Sequence, residues 1–114
     1  RRDWANFGPQ VDGESIDDLI AAYVYAPDGS TLDAEGCVWA ADAIGGRVAR
    51  IREGGEIVEE VRTGTGLFAC GLGGDDGRTL FLCAAPDFDE HARSAAREAA
   101  LMAVTVDVPH AGLP

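Results

Sequence analysis

The chain has 114 residues, of which 46% are hydrophobic and 25% charged, a composition typical of a folded globular protein. Its formal charge of −11 at pH 7 repels phosphate backbones and anionic lipid headgroups, which argues against nucleic-acid and membrane partners. All 9 basic residues are arginine, so the chain offers no lysine for a Schiff base or a Walker-type phosphate loop. No apolar run approaches the ~20 residues of a membrane span, and no signal peptide is recognisable, so a cytoplasmic location is predicted.

The first half of the chain predicts a series of short strands. Residues 14–19 are acidic and predict either one helical turn or a loop. Runs of β-type residues bounded by glycine or aspartate then predict strands at 30–33, 37–41, 47–52 and 57–62. Gly54 and Gly55 separate the last two runs and can adopt the positive φ of a tight turn. These two runs therefore predict an antiparallel hairpin with one solvated face.

The second half repeats this pattern less regularly. Strands are predicted at 68–72, 80–84 and 101–106, and the alanine-rich segment 91–100 predicts a loop that carries a short helix. The tail at 109–114 is not expected to continue a regular element, because its prolines fix φ and lack a donor.

The two halves are spaced like the blades of a β-propeller. Gly36 and Gly77 each follow an acidic turn and precede an apolar strand, and they lie 41 residues apart, within the range of blade repeats. Trp39 and Phe81 are predicted to be core aromatics that pack blade on blade. Two blades cannot close a ring that takes about 4–8 of them. The chain, which also starts without methionine, is therefore expected to be a fragment, or else one subunit of an oligomeric ring.

One carboxylate stands out as a candidate for chemistry. Asp28 lies in a Pro/Gly turn directly before a predicted strand, and such turns can sit at the mouth of a propeller channel, where carboxylates converge on a cation. The structural alternative is that Asp28 only makes an Asx-turn with its own backbone.

Other polar residues fit structural roles better. The carboxylates at 33–35 and 75–76 lack the ligand spacing of an EF-hand and predict inter-strand turns. His110, beside prolines in the tail, is predicted to be structural or incidental, and no GxSxG elbow supports a serine hydrolase. A dense polar cluster predicts a solvated surface loop rather than a metal site, and it consists of Asp87, Asp89, Glu90 and His91. Three cysteines without a CxxC pair are predicted to be reduced and buried, namely Cys37, Cys70 and Cys83.

An extended motif resembles a known family. The segment PDGSTLDAEGCVWAADAIGGRVARI, residues 27–51, resembles the SMP-30/gluconolactonase/LRE (regucalcin-like) family of six-bladed propellers. The segments FACGLGGDDGRTLFLCAAP, residues 68–86, and VDVPHAGLP, residues 106–114, resemble the family's next blade and the end of its bacterial members. The resemblance covers nearly the whole chain, whereas six blades of ~40–45 residues need on the order of 250 residues.

The resemblance implies an all-β fold, here a fragment of about two four-stranded antiparallel blades with repeats at about 25–63 and 64–108. The whole of 1–114 would be the C-terminal part of the propeller. Family members are metal-dependent lactonases or esterases that hold calcium, zinc, magnesium or manganese through a glutamate, an asparagine and an aspartate. The aspartate maps onto Asp28, which implies that Asp28 is a metal ligand and a catalytic proton acceptor.

The other two ligands are expected upstream of Arg1, and Asn6 is not assigned to either role. The resemblance thus implies a divalent cation as cofactor and a small lactone or ester as substrate, with the cation polarising the carbonyl and activating water. The alternative is a calcium-binding or regulatory propeller without turnover.

Overall fold

The computed structural model describes residues 1–10 and 15–112. Seven strands form two antiparallel sheets in which neighbours along the chain are neighbours in the sheet. The elements are α1 (Ile16–Ala21), β1 (Pro27–Leu32), β2 (Val38–Asp42), β3 (Arg47–Ile51), β4 (Ile57–Arg62), β5 (Gly66–Gly73), β6 (Thr79–Ala85), α2 (Glu90–Ala95) and β7 (Ala100–Thr105). Among these residues no helix is long and apolar enough to cross a membrane.

All seven predicted strands are present, with ends shifted by at most three residues. The acidic segment forms α1 from Ile16 onwards, capped by Ser15, whereas Glu14, where the predicted turn starts, lies outside the described residues. The predicted helix in 91–100 is shorter than that segment, because Ala96 is already extended with φ −126° and ψ 141°. The last two residues of the tail, 113–114, also lie outside the described part.

The prediction of two four-stranded blades is wrong for the second sheet, which has three strands in the described part of the chain. After β7 the chain soon reaches Pro109, which cannot donate to a ladder. Instead of a fourth strand, the tail makes one isolated antiparallel bridge, between His110 and Asp33 of the first sheet.

The main core lies between the two sheets. Trp39, Ala41 and Val48 of the first sheet are at most 1% exposed and pack against the second sheet. The residues of the second half that share this cluster are Leu67, Leu72, Leu80, Leu82, Ala84 and Val106. Burial of these apolar side chains is the largest favourable contribution to the fold.

The prediction that both aromatic residues lie in the core is correct for Trp39, which is 1% exposed, and wrong for Phe81. The residue 41 positions after Trp39 is Leu80, and Leu80 is fully buried whereas Phe81 is 37% exposed. Because side chains alternate between the two faces of a strand, a difference of one residue moves a side chain to the other face.

The two sheets differ in how their outer faces are covered. Residues of the N-terminal segment, with Phe7 stacked on Tyr25 at 4.8 Å between ring centroids, pack against the outer face of the first sheet. On the second sheet, Phe81, Cys83 and Leu101 are exposed. The prediction of buried cysteines is therefore correct for Cys37, wrong for Cys83, and only partly correct for the half-buried Cys70.

Strands β1 and β5 approach each other closely at Gly29. A Cβ atom at this position would lie 2.7 Å from both the Cα and the Cβ of Ala69, closer than packed carbon atoms allow. The two strands run in the same direction, since Thr31 further along β1 receives a 3.4 Å hydrogen bond from the Leu72 amide further along β5. Glycine at position 29 therefore sets the distance between β1 and β5, which are edge strands of the two sheets.

We expect Gly29→Ala to lower the free energy of unfolding of the complete protein by about 1–3 kcal/mol, because backbone atoms must shift to admit the methyl group. Urea denaturation measures this difference. The matched control is Gly71→Ala in β5, where an added Cβ meets no atom within 4 Å. Equal stabilities for the two variants would contradict the close approach.

The C-terminal tail ties the two sheets together. The Ala34 amide donates to the Pro109 carbonyl at 2.8 Å, and the Ala111 amide donates to the Leu32 carbonyl at 3.1 Å. The His110 amide donates to the Gly77 carbonyl, in the turn between β5 and β6, at 3.0 Å. Of the two predicted alternatives for His110, the structure favours the structural one.

Candidate functional site

Asp28 is the second residue of β1, and its side chain is exposed. The prediction placed it in a turn before the strand, which is wrong, since β1 already begins at Pro27. Within residues 1–10 and 15–112, the Asp28 carboxylate takes part in no hydrogen bond or ion pair, so the Asx-turn alternative is not supported there. The carboxylate is available for a ligand.

A divalent cation would find one donor here. Carboxylate oxygens are ligands for calcium, magnesium, manganese and zinc, so the chemistry of Asp28 fits the predicted cofactor. The described residues contain no group of three or more His, Cys, Asp or Glu side chains placed to hold a metal ion. The further ligands would have to come from other parts of the protein, and the metal role of Asp28 stays a prediction.

Asp42 organises the loop that leads into β1. This carboxylate is fully buried and accepts four hydrogen bonds. Its Oδ1 accepts from the Ala26 amide at 3.2 Å and the Gly45 amide at 3.0 Å. Its Oδ2 accepts from Arg47 Nε at 2.8 Å and from the Tyr23 hydroxyl. A buried carboxylate with this many donors is satisfied as a charged group.

The network fixes the backbone two residues before Asp28. Ala26 donates its amide to Asp42 and accepts at its carbonyl from the Ala43 amide at 3.0 Å. The start of β1 is thus bound on both sides to the end of β2. Asp42 therefore positions Asp28 through the backbone without touching it.

Hydrogen bonding controls the ionisation of this network. Burial by itself would raise the pKa of Asp42, but the hydrogen bonds from Tyr23, Arg47 and two amides outweigh it and hold the pKa below its usual value. Burial, reinforced by the neighbouring carboxylate, raises the pKa of Tyr23 to about 12. Burial also raises the pKa of Tyr25 to about 12. Near neutral pH, Asp42 is an anion and both tyrosines are protonated.

Asp33 and Asp76 are engaged in structural contacts, as predicted for the two acidic turns. Asp33 is buried, and its Oδ1 accepts from the Glu35 and Cys37 amides at 2.9 and 3.0 Å. Its Oδ2 accepts from Arg50 Nε at 2.6 Å. Asp76 accepts from the amide of the residue two positions later at 3.0 Å. Both carboxylates therefore close inter-strand turns.

The polar cluster at residues 87–91 builds the start of α2. Asp89 is the N-cap and accepts from the Ala92 amide at 2.7 Å. Asp87 accepts from the Asp89 amide at 2.9 Å and pairs with Arg93 Nε at 3.0 Å. The cluster is exposed, as predicted, but it is not only a loop, because Glu90 and His91 already belong to α2.

A cleft of about 340 Å³ lies beside Asp28. Asp28 is the one ionisable residue among the ten described residues of its lining. The others are Ile16, Leu19, Ile20, Ala26, Pro27, Ala43, Ile44, Phe68 and Phe88. The strand pattern does not predict this cleft, although the spacing of Ile16, Leu19 and Ile20, which repeats on one helical face, indicates one of its walls.

The first 86 residues match the model of the SMP-30/Gluconolactonase/LRE-like region. The chain belongs to the SMP-30/gluconolactonase/LRE-like family. A curated relative, 6-deoxy-6-sulfogluconolactonase of Pseudomonas putida, is 39% identical over 57 residues, which cover 49% of this chain and 20% of that protein. The chain thus spans a small part of this relative.

A solved structure of a luciferin-regenerating enzyme resembles the chain with a TM-score of 0.59 at 22% identity. The likeness covers 74% of this chain and 29% of that chain. That enzyme is a β-propeller of the same family, so the predicted propeller fold is confirmed and the two sheets are blades. The chain spans less than a third of the length of either family member.

Proposed function

We propose that the protein to which this chain belongs is a hydrolase of the gluconolactonase type, which opens a lactone ring or cleaves a related ester with the help of a divalent cation. Family membership and a relative whose name denotes a lactonase support the reaction class. The observation in this chain that carries the proposal is Asp28, an exposed carboxylate without a protein partner in the described residues, at the edge of a cleft.

The role of Asp28 follows from its two carboxylate oxygens. One oxygen would hold the cation, and the other would accept a proton from the water that attacks the ester carbonyl. A bound divalent cation supplies polarisation of the carbonyl and a lower pKa for bound water.

Asp42 supports this role by keeping the carboxylate in place. Its hydrogen bond to the Ala26 amide holds the start of β1, so that the Asp28 carboxylate is presented at a fixed position. The relative's name also contains a sulfonated sugar. That feature belongs to the relative and is not carried over to this protein.

Proton release from glucono-1,5-lactone and δ-valerolactone by the complete protein tests the proposal. After treatment with a chelator, calcium, zinc, magnesium or manganese is restored one at a time. We expect at least one cation to raise the rate by about tenfold or more. Lactone opening that is unaffected by chelation would refute the metal role. Calcium binding without opening of any lactone or ester would refute the hydrolase and favour a regulatory propeller.

A further inference from the structure

The exposed apolar residues of this chain are concentrated around the cleft beside Asp28. Nine large hydrophobic residues are exposed in the described part of the chain, and five of them line this cleft. Ile16 is 68% exposed and Phe88 is 63% exposed, and the other three are Leu19, Ile20 and Ile44. A concentration of exposed apolar surface is typical of a ligand-binding groove or of an interface with another part of a protein.

The cleft combines segments that are far apart in the sequence. The apolar face of α1 forms one wall, Ile44 comes from the turn between β2 and β3, and Phe68 comes from β5. Phe88 reaches the cleft from the loop before α2. No residue of α1 is buried, so this helix keeps its apolar face open towards the cleft rather than placing it in the core.

The electrostatics of the cleft select against anions. Asp28 contributes a negative charge, and the described lining contains no basic residue to balance a second one. The whole chain adds a formal charge of −11, which repels anionic molecules in the surrounding solvent. The part of a ligand that lies against this lining is therefore expected to be uncharged and apolar.

We infer that the cleft binds the alkyl substituent of an uncharged lactone or ester whose carbonyl lies at Asp28. This inference rests on the proposed function and adds the substrate class. A volume of about 340 Å³ is at the lower end of the range for ligand pockets, which suits a short alkyl chain. Polyhydroxylated sugar lactones would leave their hydroxyl groups without partners against this lining.

A series of δ-lactones with the same six-membered ring tests the inference on the complete protein. δ-Valerolactone has no substituent, and δ-decalactone carries a five-carbon chain. Full burial of one methylene corresponds to a roughly fourfold change in binding. Because the alkyl chain would be only partly buried in an open cleft, we expect kcat/KM for δ-decalactone to exceed that for δ-valerolactone by about tenfold or more. Each kcat/KM is first divided by the rate of base hydrolysis of that lactone, which corrects for intrinsic reactivity.

Variants show whether this preference comes from the cleft. Ile20→Ser and Phe88→Ser should each lower the ratio of the two kcat/KM values by about threefold or more. The control is Leu32→Ser, an exposed residue at the opposite end of β1, which should leave the ratio unchanged. A ratio near one, or a ratio that neither cleft variant alters, would overturn the inference.

A binding measurement separates this inference from the proposed function. 2-Pentylcyclohexanone has a ring and an alkyl chain but no ester to hydrolyse. Calorimetry on the chelator-treated protein should show binding with a negative heat-capacity change, weakened by Phe88→Ser but not by Leu32→Ser. Binding without lactone opening would refute the hydrolase and keep the apolar site. Opening of glucono-1,5-lactone without ketone binding would refute the apolar site and keep the hydrolase.

Discussion

Replacement of Asp28 by asparagine is expected to reduce lactone opening by the complete protein more than about 100-fold, since even outer-shell changes at metal sites cost 10–100-fold. The asparagine side chain keeps one oxygen that can bind a cation, but it lacks the negative charge and the proton-accepting oxygen of the carboxylate. Rates of proton release from the lactone at saturating cation measure the loss. Calorimetric titration with the same cation should show weaker binding.

The fold of the Asp28→Asn variant should be unchanged, because the carboxylate is exposed and makes no hydrogen bond or ion pair within the described residues. The matched control is Asp75→Asn, an exposed carboxylate in the turn between β5 and β6, which should retain full activity. Full activity of Asp28→Asn would remove Asp28 from the mechanism. Unfolding of this variant would show that Asp28 has a structural role instead.

Replacement of Asp42 by asparagine is expected to lower the free energy of unfolding of the complete protein by about 3 kcal/mol at pH 7, as for other buried ion pairs that lose one partner. Arg47, of whose side chain 17% is exposed, would lose Asp42 and keep Glu60 at 2.5 Å. Tyr23 and two amides would lose a charged acceptor. Urea denaturation of the variant and of the unsubstituted protein measures the difference, and Asp75→Asn should be as stable as the latter.

This difference should depend on pH in a defined direction. The pKa of Asp42 is lower in the folded protein than its usual value, which is about 3.9 in unfolded chains. The carboxylate therefore stabilises the fold above that pH, and the stabilisation is lost as the pH falls through the folded pKa. Denaturation at pH 7, 5 and 3 should show a constant difference at the two higher values and a smaller one at pH 3. A difference that grows on acidification would contradict this assignment.

The strands could be predicted from the sequence because their signals are local. Each β-type run is bounded by glycine or aspartate, and Gly54 and Gly55 have φ values of 100° and 97°, as the predicted turn requires. The number of strands in the second blade was harder to predict. The resemblance implies four strands in each blade, but Pro109 follows β7 closely and cannot donate to a further ladder. The exposure of Phe81 depends on which face of β6 it occupies. The repeat spacing of 41 residues places Leu80, not Phe81, at the position that corresponds to the buried Trp39.

The candidate site was predictable only in part. Asp28 was found through a motif of consecutive residues, which a single sequence contains in full. The cleft beside it is built by α1, the turn at Ile44, β5 and the loop at Phe88, and only the fold brings these segments together. The role of Asp42 depends likewise on its burial and on an amide donor 16 residues away, neither of which is visible in the pattern of strands.

The bonds of the C-terminal tail have a consequence for altering this protein. The tail joins the sheets near Leu32 and Gly77, beyond the ends of β1 and β5, whereas Asp28 lies at the start of β1. The hydrogen bonds of the tail and the cleft thus lie at opposite ends of β1 and β5. We expect that loops around the cleft can be exchanged for those of other family members while the tail keeps the sheets in register. Truncation of the tail, in contrast, would loosen every such chimaera in the same way.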